Sequence, residues 1–161
     1  MRATVALLIV GFAASTAAAA APRPQPTLCS TTEVERAVGR FVDAFNRGDR
    51  RTLASVWSAE PDFQWYSTPA PGERLHGVAQ DRPSLVTYFL RRQAKSERLE
   101  LTALRVNSNT QAVRPYGNFE YRLIRRARDL TPTKYEGKGA LHCYSARVGP
   151  DKLIVWSMAP A

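Results

Sequence analysis

Between Val34 and Phe45 the apolar side chains return every three or four residues, and the run is cut at Gly48-Asp49 before a second apolar set, Leu53, Val56 and Trp57. No other feature limits the fold as much, because a helix with one apolar stripe needs a second layer to cover it. Val34, Val38, Phe41 and Phe45 make the stripe, and Ala37, Val42 and Ala44 widen it. Glu35, Arg36, Arg40, Asp43 and Arg47 fall mostly on the wet face. Thr32 with Glu35 predicts a capping box at the helix start. Gly48 suits the left-handed residue that ends a helix, and Asp49 suits the cap of the next one, which stops before Pro61.

The covering layer is written further along. Phe63 to Ser67 has strand composition, and STPAPGER after it reads as a loop. A third helix is expected to begin near Asp81 or Pro83, with Leu85, Val86, Phe89 and Leu90 on its apolar face. From Leu99 the period changes to two, so that Leu99, Leu101, Ala103 and Arg105 alternate with Glu100, Thr102, Leu104 and Val106. Asn107 to Asn109 reads as a turn, and Arg114-Pro115-Tyr116-Gly117 as a bulge or bend. In FEYRLIRRA, Phe119, Tyr121 and Leu123 share one face, while Glu120, Arg122, Ile124 and Arg126 share the other. DLTPTKYEG is expected to be a connection, GALHCYSARV a strand and LIVWSM the closing strand. Helices on one face of an antiparallel sheet make an α+β domain.

The first segment, MRATVALLIVGFAASTAAAAAP, has one Arg, an apolar run and then small residues, which reads as an export signal cleaved after Ala20 or Ala21. An uncleaved anchor is the alternative. Cys29 lacks the small residues that precede a lipidated cysteine. The expected organisation is a signal over 1–21, a Pro-rich leader over 22–30, and one domain over 31–161, secreted or extracytoplasmic and not a stable membrane span after cleavage. In an oxidising compartment the two cysteines, Cys29 and Cys143, are expected to form one disulfide, with two free thiols as the alternative. Without a CxxC motif, a redox catalyst is disfavoured. The formal charge of +9 favours anionic partners such as an envelope surface. No nucleic-acid module accompanies that charge, so nucleic acid is not an expected partner.

VERAVGRFVDAFNRGDRRTLASVWSAEPDFQWY, and later HGVAQDRPSLVTYFLRR, resemble the nuclear transport factor 2-like superfamily, especially its SnoaL-like, polyketide-cyclase-like branch. The resemblance runs over roughly residues 31–159. It implies a cone-shaped roll, in which a strongly curved antiparallel sheet packs on three N-terminal helices and leaves a pocket at its open end. Members include isomerases, dehydratases, cyclases, epoxide hydrolases, transport adaptors and binding proteins, and the convex face of the sheet often pairs two copies, which makes a homodimer an expected state. Family enzymes often carry an interior Asp or an Asp/His combination. No matching interior Asp is expected here, because Asp129 and Asp151 fall in predicted turns and Asp43 on a wet face.

The candidate chemistry therefore rests on few residues. His76 and His142 are the candidate general bases, since imidazole exchanges protons near neutrality. Trp65, Tyr88, His142 and Tyr144 are the first candidates for the wall of a site for a small apolar or aromatic ligand. Core packing is the competing reading for each aromatic, and a hydrogen-bonded or solvated ring the competing reading for each histidine. Glu120 reads as part of a solvated charge ladder with Arg122 and Arg126. Metal-ligand spacing, a phosphate-binding glycine loop and a serine elbow are absent from the sequence, so no metal or cofactor is expected. The leading functional reading is a binding domain for a small molecule. The alternatives are an isomerase- or dehydratase-like enzyme and a module for protein or envelope interaction.

Overall fold

The computed structural model describes residues 28–59, 64–65, 79, 81–107, 116–128, 130–144 and 150–161, with residues 64, 65, 116 and 130 described by their backbone alone. The expected signal, most of the Pro-rich leader, Asp62, Phe63 and His76 lie outside the described residues. The elements are α1 (Thr31–Arg47), α2 (Arg50–Val56), β1 (Gln64–Trp65), α3 (Arg82–Ala94), β2 (Arg98–Asn107), β3 (Tyr116–Ala127), β4 (Leu130–His142) and β5 (Lys152–Pro160).

Helix α1 begins two residues before the expected box. Ser30 Oγ accepts from the Glu33 backbone N–H at 3.2 Å, and the Glu33 carboxylate accepts from the Ser30 N–H at 2.7 Å. This earlier box adds backbone hydrogen bonds to the helix and puts an acidic group in its first turn, where the macrodipole favours it. Gly48 ends α1 at φ 67°, the left-handed region, and Asp49 caps α2 through the Thr52 N–H at 3.0 Å. The Asn before that hinge has a separate role. Asn46 Nδ2 donates to Leu99 O, and Leu99 N–H donates to Asn46 Oδ1, both at 2.8 Å, so the end of α1 is clamped to the start of β2. Asp81 caps α3 with Ser84, and Pro83 sits in the first turn as the sequence suggests.

The strands form one sheet in the order β1-β5-β4-β3-β2, antiparallel except for the parallel β1–β5 pair. The cone-shaped roll with a strongly curved sheet is therefore corrected. Among the described residues the sheet is open and not strongly curved: β1 and β2 are its two edges, and they do not pair with each other. Two causes are physical. Among the described residues β1 pairs with β5 through Gln64 and Trp65 alone, and large rings fill the space between the sheet and the helices.

Phe41 lies at the centre of those rings. Its centroid is 4.9 Å from Trp156, 5.2 Å from Phe89, 5.4 Å from Trp57 and 6.4 Å from Phe45, mostly edge-to-face. These five residues are essentially inaccessible to solvent. Such pairs contribute about 0.5–1.5 kcal/mol each beyond the area they bury. Tyr121 stacks on Trp156 at 4.1 Å, and its hydroxyl donates to Ser157 O at 2.7 Å. Burial raises the pKa of that phenol well above its usual value, so it stays a neutral donor.

Two strands differ from the sequence reading. In β2 the register shifts between Leu101 and Ala103, so Leu104 and Val106 join Leu99 and Leu101 against the core. One extra residue restores the apolar face that strict alternation would have lost. TPTKYEG is not a connection but the first half of β4, and the chain turns at Arg128, just after β3. Pro132 is tolerated because β5 begins pairing only at Tyr135, and because the register breaks beside it. Gly137 and Gly139 are seats for rings on the neighbouring strand: they lie opposite Tyr121 and Phe119. A Cβ at Gly139 would come within 2.1 Å of Phe119 Cζ, and one at Gly137 within 1.9 Å of Ser157 O.

Cys29 and Cys143 form the expected disulfide, Cα atoms 5.3 Å apart across 114 residues, tying the entrance of α1 to the exit of β4. The chain-entropy model gives a closed loop of that length about 4–5 kcal/mol. The far face of the sheet carries a charge ladder, Arg126–Glu100 at 2.9 Å, Lys138–Glu120 at 3.3 Å and Arg122–Glu136 at 3.9 Å, all solvated and individually worth little. Replacing Gly139 by Ala is expected to lower unfolding stability by about 1–3 kcal/mol through overpacking against Phe119. Urea denaturation of G139A beside a solvent-face control such as Thr102→Ala checks it.

Candidate functional site

Two polar clusters lie at separate places along β4. The first is built by the turn after α3. Ser96 takes a left-handed conformation at φ 62°, which reverses the chain and returns Glu97 onto Arg92. The Glu97 carboxylate is 4% exposed and is gripped by Arg92, through Nε at 3.0 Å and through Nη2, and by Arg125 in an ionic contact of 3.0 Å. Arg92 also donates to the Tyr88 hydroxyl at 3.1 Å and lies over the Tyr88 ring, while Arg125 donates to the Tyr135 hydroxyl at 3.3 Å. A buried carboxylate held between two guanidiniums is a structural tie. Sequence reasoning misses it, since RRQAKSER looks like a charged helix end. The only signal is a Glu five residues after an Arg at a helix exit.

The second cluster lies about seven residues further along β4, roughly 23 Å at strand rise. His142, the last residue of β4, is buried and stands opposite Lys152, the first of β5. Its ring is 6.2 Å from that of Tyr144, edge-on. The Tyr144 N–H donates to Asp151 Oδ1 at 3.1 Å, so the two strand ends are bound across the connection between them. Burial raises the Asp151 carboxyl above its usual range, outweighing that hydrogen bond, and burial together with the nearby Arg82 and Arg40 lowers the Lys152 ammonium. Burial is the first cause of both shifts, and each favours the neutral form of its group. Lys152 Nζ donates to Ser55 O, Arg40 Nη2 to Ser55 Oγ at 3.5 Å, and Arg82 Nη1 to Trp57 O at 3.4 Å.

Of the residues singled out from the sequence, His142 and Tyr144 come together here. Tyr88 belongs to the first cluster. His76 and the side chain of Trp65 lie outside the described residues. Asp151, a turn residue by its sequence context, does immediately precede β5, but it is half-buried and bonded to Tyr144, a pairing across the connection with no local signature. On the far face a groove of about 620 Å³ runs over β2 to β5 past Arg105, Glu120, Arg122, Lys138 and Ser157. Among the described residues no group of three or more His, Cys, Asp or Glu could hold a metal ion, and no helix is long and apolar enough to cross a membrane.

No family model matches the chain, and no curated protein does. Solved structures do. A candidate dehydratase of the NTF2-like family from Streptomyces avermitilis superposes with a TM-score of 0.59 at 16% identity, over 81% of this chain and 94% of that one. A protein of unknown function with a cystatin-like fold from Nostoc punctiforme gives 0.60 at 15% identity, over 84% and 95%. The fold is NTF2-like. A ketosteroid isomerase-like protein from Erwinia carotovora atroseptica gives 0.55 at 13% identity, over 80% and 94%. At these identities the NTF2-like fold is what is shared, and the matches do not single out its SnoaL-like branch. The fold is compatible with small-molecule binding and with enzymatic activity, and its buried aromatic cluster has the composition of a site for a small hydrophobic ligand.

The clusters respond differently to perturbation. Glu97→Gln leaves two guanidiniums facing a neutral amide and is expected to cost about 3–5 kcal/mol by urea denaturation. Asp151 has its folded-state pKa raised, so the folded protein holds more protons than the unfolded chain between the ordinary carboxylate value and the raised one. Stability is therefore expected to fall as pH rises through that window, and Asp151→Asn to remove that part of the slope. Denaturation midpoints of the parent and D151N, measured from acid to neutral pH, check it.

Proposed function

We propose that this chain is an exported isomerase- or dehydratase-like enzyme, acting on a small substrate where β4 gives way to β5. The observation that carries the reading is the gathering of His142, Tyr144, Asp151 and Lys152 at one place, with the carboxyl and ammonium of neighbouring residues both displaced toward neutrality. The NTF2-like neighbours described as a candidate dehydratase and as ketosteroid isomerase-like add fold-level support. The filled aromatic layer argues against a large apolar cargo held between helices and sheet.

Both reactions begin by removing a proton from a carbon beside an activating carbonyl. They need a base within reach of that carbon and a donor for the oxyanion that develops. His142 takes the proton and Tyr144 supplies the donor, while Asp151 holds the Tyr144 backbone in place. His76 is the second candidate base. The SnoaL-like resemblance of the segment around NRGD agrees with a ring-bearing or otherwise cyclic substrate.

Solvent-deuterium exchange into small cyclic ketones and β-hydroxy carbonyl compounds, followed by proton NMR, tests the reading. Exchange above the buffer rate is expected, falling about 10²–10⁴-fold in His142→Gln. Exchange that is absent from every compound, or unchanged in H142Q and in the H142Q/H76Q double variant, would sink it. One observation favours a second reading, an interaction module for a protein, a second copy or an anionic envelope surface: the charged groove lies on the solvent face of the sheet, away from the helices.

A further inference from the structure

We infer that Arg40, Arg82 and Lys152 form a binding site for the oxyanion group, a carboxylate or a phosphate, of a small-molecule ligand. The inference deepens the proposed enzyme reading by naming the substrate class, anionic rather than purely apolar, and it rests on that reading only for the word substrate.

Three separate elements deliver these cations to one short stretch. Arg40 comes from the middle of α1, Arg82 from the first turn of α3 and Lys152 from the start of β5. Lys152 and Arg40 both reach Ser55, and Arg82 reaches the carbonyl of Trp57 two residues on. All three are half-buried, which leaves them open to a ligand on one side. Among the described residues none of them forms an ion pair with a carboxylate. The other half-buried cations among the described residues, Arg92 and Arg125, both pair with Glu97, so half-buried positive charge without a carboxylate is confined to this place.

The plain alternative is that the cations cap the C-terminus of α2, whose last carbonyls need donors. That accounts for one of them. A helix end carries about half a negative charge, and α2 is only two turns long, so it cannot offset three cations drawn out of bulk water. Nor does the neighbourhood supply the balance. Among the described residues the groups that act electrostatically on Asp151 and Lys152 are Arg36, Arg40 and Arg82 against Glu33, so with the pair itself four cations face two carboxylates. Lys152 responds as a cation crowded by its own kind, with burial as the larger cause. The hydrogen bonds point the same way. Each guanidinium has five N–H donors and among the described residues uses one of them, at 3.4–3.5 Å, a long contact for a charged donor. An oxyanion between the two forks and the ammonium would accept several short bonds at once and neutralise the excess charge. Lys152 stands in register with His142, so an anionic group held here would place the rest of a small molecule beside the imidazole and Tyr144.

The test is thermal unfolding of the full chain in increasing inorganic phosphate or succinate, against sodium chloride at matched ionic strength. A saturable rise in midpoint is expected with phosphate, succinate or both, and whichever acts identifies the group. In Arg82→Gln and Lys152→Met the apparent dissociation constant is expected to weaken at least about tenfold, while Arg122→Gln on the far face leaves it unchanged. Should K152M fail to fold, R82Q decides alone, because its side chain contributes a single long hydrogen bond. A rise no larger than that in chloride, or one kept in R82Q, overturns the site. H142Q separates the two proposals: if it keeps the anion-dependent rise while exchange is absent from the parent, the acid–base reading falls and the anion site stands. Exchange that depends on His142 without any anion effect removes the anion site and leaves the acid–base reading in place.

Discussion

The structure depends on one packing constraint, the Phe41 ring enclosed by Phe45, Trp57, Phe89 and Trp156. Those five residues come from α1, the end of α2, α3 and β5, so a single cluster fixes how all three helices lie on the sheet. Fully enclosed rings tolerate little displacement, since interiors are packed as densely as molecular crystals. The sheet then has one permitted distance from the helices. The Asn46 clamp sets the same distance at the β2 edge, and the disulfide sets it at the far end of β4.

That frame explains why the two polar clusters of the described residues lie away from the aromatic centre. The middle of the layer is closed by hydrocarbon and aromatic surface, and charge there would be costly to bury. At one end of β4 the cost is met by pairing Glu97 with two guanidiniums, which rigidifies the turn after α3. At the other end it is not met by pairing. Asp151 and Lys152 are half-buried, the first with its pKa raised and the second with its pKa lowered, and among the described residues the cations gathered there from α1 and α3 form no ion pair with a carboxylate. Among the described residues one cluster is thus closed by ion pairs, and the other carries an excess of positive charge.

What can be read from the residues alone follows from range. The helices α1 to α3, their hinge at Gly48 and the two faces of β3 are legible because three- and two-residue periods are local properties. The disulfide is legible because only two cysteines exist. The start of β4 is not, because Gly137, Gly139 and Pro132 are turn residues by composition, and only the rings across from the glycines show why they belong in a strand. The openness of the sheet escapes for a related reason: the resemblance carries the shape of a family onto a chain whose own first strand pairs through two described residues. Asp151 and Glu97 depend on contacts between separate segments, which no window of sequence displays. His142 and Tyr144 can be found because they are two residues apart.

The ring seats at Gly137 and Gly139 bear on how such a chain can drift. A side chain larger than hydrogen at Gly139 becomes tolerable only after Phe119 has shrunk, while a shrunken Phe119 first opens a void in the core; at Gly137 the Ser157 carbonyl blocks a Cβ whatever stands at 121. Each order of events passes through a damaged intermediate. Homologous sequences should therefore exchange positions 119 and 139 as a coupled pair while 137 stays glycine, and that pattern would locate this hairpin in relatives too remote for ordinary alignment.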